Sequence, residues 1–443
     1  MIAPAPSSPP SLRISTIPGE PEWVSSRRKS ELARFVEKGL PSVREEDWRF
    51  TNVKPVAGLA FEPAGRPADP GAEVLEAFPL AKLPGSRLVF INGHFFPALS
   101  SIGERGADAK IMTLAEALVR EPELIKRHLF QSSQDRETSF GALNGGLFRD
   151  GAFIYVPKGV SLADPVHLLY LFTPGGSGEA SYPRNLIVAE EGAQLTVVES
   201  YAGTIPGKYF TNGVTELAAG DGASIEYLKL QDESRESFHL GTIAVSVGRA
   251  SRVRIHSMAL GAKLSRTNIH AKLAGEGAEC LLNGLYVVDE ERLADHYMIV
   301  DHAMPHGTSH EYFNGILAGK SKGVFHGRII VELDAQKTDA KQTNKNLLLS
   351  DDATIDTKPQ LEIYADDVKC THGATIGQLS DEAIFYLRSR GIPRETARRM
   401  LIHAFAGEII DRVRHEAIRE ELNDLVLRRL EQNQSTEFST HVR

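Results

Sequence analysis

Four tight corners recur along the middle of the chain and restrict its fold more than any other feature. "EGAQLTVVE", "DGASIEYLK", "GRASRVRIH" and "EGAECLLNG" align on Ala193, Ala223, Ala250 and Ala278, at spacings of 30, 27 and 28 residues. Between them stand short runs such as "NLIVAE", "SIEYLKL" and "TIAVSV". Their β-branched and aromatic residues suit a pleated, half-buried surface, while Gly, Asp and Ala turn the chain. A second echo relates "LAGEGAECLLNGLYVV" (273–288) to "LAGKSKGVFHGRIIV" (317–331). A unit this short cannot bury its own apolar face, so a steady period means that units stack and share one core. The pattern predicts a mainly β chain with a β-solenoid over 151–378. A β-sandwich also alternates strands and turns, but it rarely repeats one corner in the same phase.

The flanks read differently. Residues 1–24 are Pro/Ser-rich and predict a disordered tail. Residues 25–150 predict a mostly helical region, with a helix over 26–40, a strand pair within 86–99 and helical composition over 113–130. Residues 379–432 are helical again: Ser380 can cap "DEAIFYLRSR", Gly391 can end it, and Pro393 can open the next helix. There Ala397, Leu401, Ala404, Phe405, Ile409 and Val413 form an apolar stripe, and Ile418, Leu422, Leu425, Val426 and Leu430 mark a last helix. A helical cap closing the end of the solenoid is the plain expectation for these segments. Residues 433–443 predict a second disordered tail.

Composition excludes several classes. The net charge of −8 offers no basic face for nucleic acid. No apolar run approaches the roughly 18–20 residues that span a bilayer. The N-terminus lacks a basic segment followed by an apolar one, and two cysteines make a disulfide framework unattractive. A reducing, cytoplasmic setting is the expectation. Iron–sulfur clusters and structural zinc usually take about four protein ligands, so this chain cannot build an all-cysteine site alone.

Several candidate chemistries can be weighed. "NGILAGKS" ends in Gly319-Lys320-Ser321, but a phosphate loop needs glycine at 314, where Asn314 stands, and a helix afterwards. His296, His302, His306 and His310 cluster in "ADHYMIVDHAMPHGTSHEYF", with His326 beyond, yet match no ligand spacing on a recognisable frame. The Lys, Thr and Asn of "DAQKTDAKQTNKNLLLS" read as turn residues of a solenoid. Cys280, in an apolar run, reads as a small buried hydrophobe. In "DDVKCTHGAT", Cys370 and His372 stand two apart, so a strand would place thiol and imidazole on one face. At that point structural, metal-binding and nucleophilic roles all stay open, although no device to activate a nucleophile is evident.

The long run "KTDAKQTNKNLLLSDDATIDTKPQLEIYADDVKCTHGATIGQLSDEAIFYLRSRGI", followed by "ARRMLIHAFAGEI", resembles the SufB/SufD family of the SUF iron–sulfur assembly system. "DTKPQLEIYADDVKCTHGAT" is closer to its SufD branch than to SufB. "LPSVREEDWRFTN" and "FGALNGGLFRDGAFIYVPKGV" are similar to the family's N-terminal patterns. The likeness is dense from about 320 to 412 and sparser from 40 to 320. It implies a right-handed parallel β-helix between helical terminal regions. It also implies a non-catalytic scaffold subunit that pairs with SufB through the β-helix and docks the SufC ATPase on its C-terminal helices. Cys370 and His372 match the family's interface ligands for iron or a transient nascent cluster shared with SufB. A homodimer is a further expectation for the chain in isolation. An exported polysaccharide lyase or a hexapeptide-repeat acyltransferase fits less well, lacking respectively the acidic cluster and the short period.

Overall fold

The computed structural model describes residues 12, 14–59, 62–104, 108–131, 138–175 and 178–440. Residues 1–11, 13 and 441–443 of the two predicted tails lie outside the described residues. Elsewhere both tails are shorter than their composition suggests. Ile17 is buried, the first helix already runs over Glu22–Lys38, and the last helix, Glu416–Thr440, continues through the polar run. Glu and Gln are good helix formers and let a helix elongate.

The middle of the chain is a β-solenoid of two sheets. The first sheet begins near Ser86–Ile91 and ends on Lys369–Gly377; the second ends on Thr354–Ile363. From Arg184–Ala189 onward each strand pairs in parallel with the strand two along in sequence. Glu279–Val288, for example, lies between Arg252–Ala259 and Thr308–Leu317. At each corner the chain therefore crosses to the opposite sheet, which an antiparallel sandwich does not do. The strand pair expected within 86–99 is present: Ser86–Ile91 pairs antiparallel with His94–Phe95 and, on its other side, in parallel with Val166–Phe172, which brings it into the first sheet.

The corners are set by backbone conformation rather than by alanine. The register Gln194↔Ser224↔Arg252↔Glu279 aligns Ser251, not Ala250, with Ala193, Ala223 and Ala278. Ala250 occupies the glycine slot instead, with φ 54° beside 68°, 66° and 67° at Gly192, Gly222 and Gly277. His306 (φ 60°) and Lys337 (φ 63°) take the same left-handed slot later. The repeat is thus kept at about 1–2 kcal/mol per non-glycine corner.

Alternate residues of both sheets fill the interior, including Leu88, Ile225, Ile255, Cys280, Leu282, Phe313 and Ile329. The helices Glu22–Lys38 and Ser139–Leu147, with Trp48, cover the outer face of the second sheet at Phe210, Phe238 and Leu240. Beside them Arg184 is buried against Glu216, and its guanidinium lies 4.1 Å over the Phe130 ring. Ser380 caps Asp381–Ser389 by accepting from the Ala383 amide at 3.2 Å, and Gly391 follows with φ 85°. The helices Arg394–Ile410 and Glu416–Thr440 lie on the outer face of the first sheet, packing Ile402, Ala406, Ile409, Ile418 and Leu422 on Leu228, Met258, Leu285 and Ile316. The expected stripe is rotated: Ile402 and Ala406 are buried whereas Ala404 is exposed. These helices therefore flank the solenoid instead of closing its end. Among the described residues no strand pairs with the free sides of Thr354–Ile363 and Lys369–Gly377.

Candidate interface site

Cys370 and His372 sit on that last strand, Lys369–Gly377. Register pairs them with Ala340 and Gln342 of Asp339–Leu348, both buried on the inward face. Cys370 packs partly against the interior cluster, so strand alternation turns His372 to the same inner side. The pair thus forms part of the rim of an open solenoid end, with Cys370 half-buried and His372 exposed. Burial raises the Cys370 thiol above its ordinary pKa, with the Asp339 charge adding to the shift and a backbone hydrogen bond at Ala340 opposing it. A thiol held in that state is no activated nucleophile, and a metal binding it would release its proton.

Cys280 lies on the same inward column, in the order Cys280, Ser309, Ala340, Cys370. It is fully buried, and desolvation pushes its thiol up to about 12. Three strand spacings, about 14 Å, keep the two sulfurs from sharing an ion. The histidine group does not converge. His296 and His302 point inward, hydrogen-bonded to Ser257 and Ser309, and burial pushes them down to about 3 and about 4. His306 forms a corner, His310 stands 3.5 Å from Asp339, and His326 meets Gln360. Among the described residues no group of three or more His, Cys, Asp or Glu could hold a metal ion. Gly319-Lys320-Ser321 turns a corner into the strand Lys322–Val331, not into a helix.

The run read as turn residues is in fact the strand Asp339–Leu348. Its Gln342, Asn344 and Asn346 point inward and line the last closed rung. Asn346 donates to the Asn344 side chain at 2.6 Å, and Asn344 donates to the Phe313 carbonyl at 3.1 Å. Gln342 donates to Glu311 at 2.6 Å. The alternation K-Q-T-N-K-N carried this signal, with amides on one face and lysines or threonine on the other. Glu311 escaped notice because nothing local marks it.

Desolvation pushes the buried Glu311 carboxyl up to about 7, against the opposing Gln342 hydrogen bond. The folded chain therefore holds a proton that the unfolded chain, with an ordinary carboxylate pKa, releases. Glu311 costs little stability at low pH, and its penalty grows as pH rises from the ordinary value towards 7. Glu311→Gln is expected to flatten this loss, so that the variant gains on wild type between pH 5 and pH 8 in urea titrations. An equal pH slope in both proteins would refute the assignment.

Residues 18–168 match the SufBD protein N-terminal region, and residues 172–405 match the SUF system FeS cluster assembly SufBD core domain. The chain belongs to the SufBD family. It is 36% identical over 382 residues to the iron–sulfur cluster assembly SufBD family protein slr0076 of Synechocystis, covering 84% of each chain. It is 32% identical over 403 residues to the iron–sulfur cluster assembly protein SufD of Escherichia coli, covering 90% of this chain and 91% of that one. SufD of Bacillus subtilis is 25% identical over 421 residues, covering 93% of this chain and 95% of that one. The SufBD core match encloses Cys370, His372 and the inward column beneath them. Among the described residues no helix is long and apolar enough to cross a membrane.

Proposed function

We propose that this chain is a non-catalytic subunit of the SUF scaffold, supplying Cys370 and His372 as part of a site for iron or a nascent cluster. The observation that carries this reading is their placement side by side, facing inward, on the last rung of an open solenoid. Thiolate and imidazole are a soft and a borderline ligand suited to iron. They leave coordination positions for another chain, and a site divided between chains can release its cargo when the chains part. The iron or cluster is cargo here, handed on after assembly.

SufB is the partner proposed to complete the site. The terminal strands present unpaired backbone groups that invite strand addition. In the absence of SufB the same edges can take a second copy of this chain. SufC is proposed to dock on the C-terminal helices, where Phe385, Tyr386 and Met400 are 71%, 56% and 47% exposed. Exposed aromatic and Met side chains are enriched at interfaces. ATP hydrolysis belongs to SufC in this scheme, and the setting is the reducing cytoplasm.

Co-expression with SufB and SufC, followed by native mass spectrometry, is expected to recover one complex containing all three chains. Failure of this chain to associate with SufB would overturn the shared-site reading. Phe385→Asp is expected to weaken SufC retention by about 2 kcal/mol or more, the scale of an interface anchor, while SufB pairing persists. Unchanged SufC affinity by titration calorimetry would remove this face from the docking surface.

A further inference from the structure

We propose that Gln342, held by Glu311, is the positioning residue of His372. Its side-chain carbonyl, which has no partner in this structure, would accept the imidazole N–H once the ring turns down onto it, and so fix which ring nitrogen faces out of the solenoid. This rests on reading His372 as a ligand.

Glu311, Gln342 and His372 occupy one inward column on successive strands of the first sheet. The lower two are sealed inside, at 0% and 1% exposure, and His372 is the next rung, at the open end. Gln342 Nε2 donates to Glu311 Oε2 at 2.6 Å, while Gln342 Oε1 is buried with no partner. At pH 8, above the value of about 7 to which burial pushes it, Glu311 is a carboxylate that only accepts, so it holds the NH₂ side of the amide towards itself. In a parallel, in-register stack, an amide that donates to one neighbouring rung turns its carbonyl towards the other. Here that other rung is His372, about 4.8 Å along the stack.

The opposite wall leaves the pair room. A Cβ on Gly327 would stand 2.1 Å from Gln342 Nε2 and 3.0 Å from Glu311 Oε2. Gly327 is not among the residues with positive φ, so side-chain space and not backbone conformation calls for glycine there. A neutral imidazole carries one N–H and one lone pair. Giving the N–H to Gln342 leaves the bare nitrogen pointing away from the interior, which is how an outer partner commonly fixes a histidine ligand.

The test is the tautomer of His372 in the full-length, metal-free chain. Long-range ¹H–¹⁵N correlation at pH 8 on histidine-labelled protein reads it directly, with His372→Ala supplying the assignment. Wild type is expected to show one dominant tautomer. Gln342→Met keeps the bulk but removes the acceptor, and is expected to give a mixed population. The exchanged pair Glu311→Gln with Gln342→Glu keeps an acceptor below His372 and is expected to restore the single form. An unchanged His296 signal checks that each variant is folded. A mixed tautomer in wild type, or an unchanged one in folded Gln342→Met, overturns the proposal. Co²⁺ titration of the same samples separates it from the ligand reading. A roughly 10–100-fold weaker affinity in Gln342→Met supports both. A tautomer fixed through Gln342 with no Co²⁺ bound by wild type keeps the positioning role and removes the ligand role.

Discussion

Cys370→Ala and His372→Ala are each expected to lower the cluster content of the assembled SUF complex at least about tenfold, the scale on which even outer partners of a metal ligand act. Neither change should unfold the chain. His372 is exposed at the solenoid end, and Cys370 is only half-buried, against Ala340 and the fringe of the core. Truncating a partly exposed cysteine costs far less than the 2–5 kcal/mol of emptying a closed core site. Cys370→Ser is the sharper control, since it keeps the size and removes the sulfur. Iron and sulfide per complex, measured with absorption spectra at equal recovery of all subunits, check the expectation. A normal cluster content in either alanine variant would take that residue out of the site.

How much of this was legible in the sequence depends on which forces act locally. The solenoid was legible because its signal repeats: strand-forming runs between corners at nearly constant spacing leave few ways to bury the apolar faces. Alignment on alanine puts the corner one residue out of phase at Ala250, because the slot is a left-handed backbone conformation that glycine marks better than alanine does. Ser380 and Gly391 could be placed because caps act within one turn. The rotation of the stripe in Arg394–Ile410 was not legible. Two overlapping apolar stripes fit one helical period, and only the surface of the first sheet chooses Ile402 and Ala406 over Leu401 and Ala404.

The site divides along the same line. That Cys370 and His372 share a face followed from the period of a strand. That the face looks into an unclosed end did not follow, because it depends on where the flanking helices lie. The inward column of Glu311 and Gln342 joins residues 31 apart in sequence, and only the register of parallel strands brings them together. Open end and polar last rungs belong together physically. An apolar core ending in water would expose a larger apolar patch; Glu311, Gln342, Asn344 and Asn346 make part of the last rungs polar, while Ile363 and Ile376 on the last two strands stay 39% and 52% exposed.

The largest stability effect is expected far from this end, where the N-terminal helices meet the solenoid. Arg184 is 2% exposed and bonds Glu216, itself buried, while also donating to Asn144 at 3.2 Å. Its guanidinium lies over Phe130, whose backbone N–H donates to the same Glu216 oxygen at 3.1 Å. Glu216 Oε2 is buried with no partner, so Arg184 is the main compensation for that charge. Arg184→Ala removes the cation and leaves a carboxylate in an apolar layer, at an expected cost of about 3–5 kcal/mol. Arg184→Met with Glu216→Leu removes both charges at similar volume and is expected to recover most of that loss, because the penalty lies in the unpaired ion. Urea titrations of the three proteins make the comparison, with midpoints read by two probes because stacked repeats need not unfold in one step. A cost below about 1 kcal/mol for Arg184→Ala would mean that water reaches Glu216 in solution. Cluster content per folded complex should stay at the wild-type level throughout, since the pair lies on the strands Arg184–Ala189 and Phe210–Ala219, many rungs from Cys370 and His372.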